Sequence, residues 1–157
     1  MDITTLAAWG EFLGGIAVVV SLIYLAGQIR QNSKLMRAST AAVTLEGLNA
    51  TSSMVAEDPE VGRIWWAGLD DRSALSKPDA QRFDTLISMQ VSHWDQEFDF
   101  VRDGLMSDRL WQRRRRQMTW QLQQPGMQQH WRDWEFAYGD EFRAFVDGLI
   151  REGEAAG

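Results

Sequence analysis

A chain of 157 residues is long enough for one compact domain plus an appendage. Its 22 acidic and 16 basic side chains leave a net charge of −6, which argues against a dedicated nucleic-acid binder. The absence of cysteine excludes disulfides, thiolate metal sites and cysteine nucleophiles. A mean hydropathy of −0.33 excludes a polytopic membrane protein.

The first predicted element is a membrane-spanning helix from Leu6 to Gly27, within a transmembrane anchor at 1–30. Residues 12–27 carry no charge, and over the whole stretch Glu11 is the only charged side chain. At about 1.5 Å per residue the stretch reaches about 33 Å, enough for a hydrocarbon layer of about 30 Å. Glu11 lies shallow enough for its carboxylate to reach headgroups or water. A cleaved signal peptide would need a basic segment before the apolar run, but only Asp2 is charged there. The basic residues Arg30, Lys34 and Arg37 follow the run instead. The positive-inside rule therefore places the short N-terminus outside and the rest of the chain in the cytoplasm. Trp9 and Tyr24 sit near the two ends, as interfacial aromatics do.

Gly10, Gly14, Ala17 and Ser21 recur at spacings of four, three and four, which puts them in one stripe containing a Gly-x-x-x-Gly step. Small residues let two helix backbones approach closely in lipid, so the stripe predicts a packing seam, with a second copy or another membrane protein. Its plain alternative is the general abundance of Gly and Ala in membrane helices.

Beyond the span an all-α domain is expected over 31–152, five or six helices packed as a small bundle, with a frayed tail at 153–157. No proline interrupts 28–56, so the first helix should run out of the membrane, with a bend near Gly47. Leu48 belongs to its apolar pattern. Asp58-Pro59 signals a new helix, with Asp as cap and Pro in the first turn. A polar turn from Asp70 to Lys77 follows, and Ser76 with Asp79 resembles a capping box. Phe83, Ile87, Val91, Trp94, Phe98 and Val101 then form the clearest helical stripe, stopped at Gly104. Ser107-Asp108 caps the next helix, with Leu110, Trp111, Met118 and Leu122 inward; Pro125-Gly126 ends it. A short segment bearing Trp131, Trp134 and Phe136 leads to Gly139-Asp140 and a last amphipathic helix through Ile150.

Arg113, Arg114, Arg115 and Arg116 turn about 100° per residue on a helix, so they cannot form one flat phosphate-binding face. With Arg30, Lys34 and Arg37 they are candidate lipid-headgroup contacts, each contributing about 1 kcal/mol near an anionic surface. A solvated face with acidic neighbours is the plain alternative. His93 and Glu97 stand one helical turn apart. Two such groups are too few for a metal site, and the plain role for Glu97 is to bond a buried tryptophan N–H or an arginine. The tryptophans at 65, 66, 94, 111, 120, 131 and 134 are core residues by their spacing or, less simply, the walls of a pocket. Adjacent Trp65 and Trp66 cannot both face one core. No serine-nucleophile motif or phosphate-binding glycine loop occurs outside the span, so no catalytic residue and no cofactor are assigned.

The stretch from Gly10 through Ser21-Leu22-Ile23-Tyr24-Leu25 to Gln28-Ile29-Arg30-Gln31-Asn32 resembles the start of a group of uncharacterised small bacterial single-pass membrane proteins. Glu57-Asp58-Pro59-Glu60, Gly104-Leu105 with Trp111, Pro125-Gly126 with Trp131, and Glu141 to Val146 extend the resemblance over most of the chain. It implies a bacterial inner-membrane location and carries no activity, cofactor or site residue with it. Two functions follow as expectations. The first is a non-enzymatic, membrane-anchored interaction or assembly protein, self-associating or serving a larger membrane complex. The second is a membrane-surface small-ligand sensor or enzyme, with His93, Glu97 and nearby tryptophans lining a pocket between helices.

Overall fold

The computed structural model describes residues 2–156, with side chains described for all of these but 5–8, 48, 49 and 156. Leu6, Ala7 and Ala8 of the expected span and Leu48 of the expected apolar pattern therefore lie outside the described side chains, as Gly157 lies outside the described chain. The described residues form helices joined by short connections, without a strand: α1 (Ile3–Glu57), α2 (Pro59–Asp71), α3 (Lys77–Arg102), α4 (Asp108–Leu122), α5 (Pro125–Trp134) and α6 (Asp140–Ala156), with 3-10 turns at Arg72–Ala74 and Glu135–Ala137. The chain divides into two compact units, residues 1–39 and 40–157, so the division falls nine residues beyond the expected end of the anchor.

The first unit is the apolar part of α1. It holds the one described helix that is long and apolar enough to cross a membrane, and none of its apolar window is buried within the chain.

The helix boundaries of the second unit follow local chemistry. Asp58 caps α2 through Oδ1, which accepts from the backbone N–H of Glu60 and Val61. Ser76 caps α3 by accepting from Asp79 N–H, and Ser107 caps α4 by accepting from Leu110 N–H. Gly104 ends the α3 segment with φ +67°, a left-handed conformation that glycine adopts without steric cost. Helix α1 is continuous through Gly47, where a bend was expected. Helix α6 runs to Ala156, and Gly153 lies so close to Gln123 that a Cβ would overlap its side-chain amide.

One apolar core joins these helices. Ile64 and Leu69 of α2, Phe83, Ile87, Val91 and Trp94 of α3, and Met118 and Leu122 of α4 meet Met127, Trp131, Phe142, Val146 and Leu149 from α5 and α6. The α2–α5 crossing is a close backbone approach, because a Cβ on Gly126 would collide with the carbonyl of Gly68. The Trp131 indole N–H donates to Asp147 Oδ1 at 2.9 Å, which satisfies the polar edge of a buried ring.

Candidate ligand pocket and its buried ion cluster

Helix α4 turns Leu110, Arg114, Met118 and Leu122 to one side, at a strict spacing of four. Met118 and Leu122 enter the core, and Arg114 enters with them at 4% exposure. Its partner is Glu97, 0% exposed, which continues the inward stripe of α3 one turn beyond Trp94. Arg114 Nε lies 2.9 Å from each oxygen of Glu97, and Nη1 donates to Gln117 Oε1 at 2.6 Å. The enclosed carboxylate is thus neutralised by a charge-assisted contact, without which its burial would be prohibitive.

His93 completes the cluster. Its Nε2 lies 3.3 Å from Glu97 Oε1 and 3.3 Å from the Thr44 carbonyl oxygen of α1. The hydrogen bond to Glu97 is the largest influence on the imidazole. It outweighs burial and holds the pKa above the ordinary 6.5. Gly47 makes room for the ring, since any Cβ at that position would overlap the imidazole.

A cavity of about 510 Å³ opens beside this cluster. Trp65 and Trp66 of α2 and Trp120 of α4 line it, with Gln90 and His93 of α3 and Arg114, Gln117 and Gln121 of α4. Gly47, Thr51, Ser52, Val55 and Ala56 of α1 complete the lining. Gln90 and Gln121 hold one another through reciprocal amide contacts of 2.7 and 3.3 Å. Trp65 is buried, whereas Trp66 and Trp120 are 60% and 57% exposed. The adjacent tryptophans of α2 therefore do face different ways: Trp65 packs into the core beside Phe83, and both rings border the cavity. Apolar aromatic walls with a few convergent polar groups, in this size range, are the usual make-up of a small-molecule site.

A second cluster of arginine, histidine and carboxylates lies apart from the cavity. Arg72 pairs with Asp84 through Nε and Nη2 at 2.7 and 2.8 Å, and reaches Asp133 through Nη1. His130, 0% exposed, places Nδ1 2.9 Å from Asp84 Oδ1. Its Nε2 is buried without a hydrogen-bond partner among the described residues. Burial holds the His130 pKa below 6.5 against the opposing hydrogen bond to Asp84. Burial pushes Asp84 upward, but its bonds to Arg72 and His130 outweigh that and leave its pKa lowered.

The sequence-based candidates divide accordingly. His93 borders the cavity, while Glu97 sits behind it and positions Arg114 and His93 rather than facing the opening. Arg114, one of the headgroup candidates, is 4% exposed, is bound to Glu97 and borders the cavity. Arg115 is half-buried and bonded to Glu152, while Arg113 and Arg116 are exposed, as are Arg30, Lys34 and Arg37. Gly10, Gly14, Ala17 and Ser21 are exposed; a Cβ at Gly10 or Gly14 would meet nothing within 4 Å, and Ser21 Oγ donates to the Ala17 carbonyl at 2.8 Å. Among the described residues no group of three or more His, Asp or Glu side chains is placed to hold a metal ion. The role of Arg114 was missed at the sequence level, although its place in the Leu110–Met118–Leu122 row was the available signal. No protein-family model matches the chain, and no curated protein and no solved structure is similar to it.

Proposed function

We propose that the chain is a membrane-anchored binding protein for a small organic ligand, which it takes up in the cavity beside His93 and Arg114. The observation that carries this reading is the convergence of three tryptophans, an imidazole and a buried, carboxylate-positioned guanidinium on one cavity of about 510 Å³. The tryptophans supply apolar contact area, two of them at an exposed mouth, and the Glu97–Arg114–His93 cluster supplies fixed donors. Native mass spectrometry of the whole chain, purified from its membranes in mild detergent, tests the reading. A stoichiometric small-molecule mass on the native protein, lost in Trp120→Ala, is the expected result. A native chain carrying no such mass counts against it.

The anchor in this reading is the apolar part of α1, in a bacterial inner membrane, with the N-terminus outside and the helical bundle in the cytoplasm. Its support is the apolar window of α1 followed by Arg30, Lys34 and Arg37. A reporter fused after residue 157 should be active in the cytoplasm; activity only outside it would reverse the orientation. A second reading, assembly with another copy or another membrane protein through α1, is favoured by the open small-residue stripe at Gly10 and Gly14. Gly14→Leu should then lower the assembled mass in mild detergent, whereas an unchanged mass would remove the seam from consideration.

A further inference from the structure

Resting on the ligand-binding reading above, we propose that the cavity takes an amphipathic organic acid, with a flat apolar body against Trp66 and Trp120 and a single carboxylate held by Arg114 and His93. The argument begins with what the cavity lacks. None of the described residues lining it is acidic, although acids outnumber bases over the whole chain. The carboxylate bonded to Arg114, Glu97, is fully buried and turns both oxygens to Arg114 Nε. The lining therefore presents a guanidinium and an imidazole with no opposing carboxylate facing inward.

Arg114 also keeps unused donors. A guanidinium carries five N–H groups. Nε serves Glu97 and Nη1 serves Gln117, while Nη2 makes no hydrogen bond among the described residues. Glu97 fixes the plane of the guanidinium, so those donors are held in place before any ligand arrives, and pre-organisation of this kind favours binding of a carboxylate. His93 adds a second cation when protonated. The charged groups that act on it are Glu97 from its own helix and Arg114 from α4, while α1 contributes the Thr44 carbonyl. A cationic ligand would meet the tryptophan faces favourably, but beside Arg114 it would find no carboxylate to pair with. The apolar half of the ligand follows from Trp65, Trp66 and Trp120, whose rings line the cavity and offer large apolar faces to a planar hydrocarbon.

The test uses the whole chain in nanodiscs of uncharged phosphatidylcholine and isothermal titration with three probes of one shape: 1-naphthaleneacetate, 1-naphthaleneacetamide and 1-naphthylmethylammonium. The acetate should bind at least about tenfold tighter than the amide, as a charge-assisted pair exceeds a neutral one, and the ammonium should bind weakest. Acetate affinity should fall several-fold between about pH 6 and about pH 9 as His93 loses its proton, while amide affinity stays level. His93→Gln should abolish that pH dependence, and Trp120→Ala should weaken acetate and amide alike; both variants leave the Glu97–Arg114 pair intact, so neither depends on a refolded core. Equal affinity for acetate and amide, or preference for the ammonium, overturns the acid assignment and leaves the ligand pocket standing. Failure of all three probes to bind, or acetate binding that neither variant alters, overturns the pocket together with the inference.

Discussion

Each of the two clusters joins an arginine, a histidine and a carboxylate, and the two behave oppositely. Around Glu97, the arginine and histidine border open space; around Asp84, the histidine is sealed and its outer nitrogen faces no partner among the described residues. The carboxylate raises the pKa of His93, whereas burial lowers that of His130. Composition alone does not distinguish a binding cluster from a structural one. What distinguishes them is whether room is left beside the cations, and that room depends on neighbours such as Gly47.

The largest expected effect comes from stripping Arg114 of its counter-ion. Glu97→Ala should destabilise the whole chain by about 3–5 kcal/mol, because it leaves a buried guanidinium unpaired. Replacing both partners, with Glu97→Leu and Arg114→Met, should recover most of that loss while abolishing ligand uptake. Denaturation melts in mild detergent measure both, and a Glu97→Ala loss below about 1 kcal/mol would show that the pair is solvated.

Asp84→Ala should cost somewhat less, about 2–3 kcal/mol, since it removes hydrogen bonds to a charged group from a more accessible cluster. It should leave ligand affinity untouched; lost affinity would mean that the two clusters are coupled.

Two glycines separate shape from charge. Gly126→Ala drives a Cβ into the Gly68 backbone and should cost about 1–3 kcal/mol through the α2–α5 crossing. Gly47→Ala meets the His93 ring first, a side chain that can turn away, so it should cost less stability but weaken ligand binding. Equal effects of the two on melting and binding would contradict this division.

The histidines also predict opposite pH slopes. His93, with its pKa raised on folding, adds stability that is full below 6.5 and is lost as pH rises through its folded value. His130, with its pKa lowered, adds stability that is full above 6.5 and is lost as pH falls through its folded value; Asp84, also lowered, adds a further loss below 3.8. Melts from pH 5 to 9 should show the alkaline slope disappear in His93→Gln and the acid slope diminish in His130→Gln. The smallest change is Trp66→Ala: an exposed ring should alter stability by no more than about 0.5 kcal/mol. Ligand affinity should fall all the same.

Much of the helical framework is legible in the amino-acid order because it is local. Asp58, Ser76 and Ser107 announce helix starts through bonds reaching only two or three residues, and Gly104 announces a stop through its own backbone freedom. The apolar stripe of α3 and the length of the uncharged run in α1 are likewise periodic or additive properties of neighbouring residues. The pairing of Glu97 with Arg114 was only half legible. An arginine as the partner of Glu97 was foreseeable in kind, but Arg114 stands in a run of four arginines that look equivalent.

The sequence by itself determined the all-helical character, the caps and stops, and one helix apolar and long enough for a membrane, since each depends on interactions within a few turns of one segment. Only the tertiary structure decided which of four arginines is buried, which histidine borders a cavity, and which tryptophans line it. Those outcomes depend on how α1, α2, α3 and α4 pack side by side, and a contact between residues 17 apart in sequence, such as Glu97 and Arg114, leaves no periodic trace in either helix.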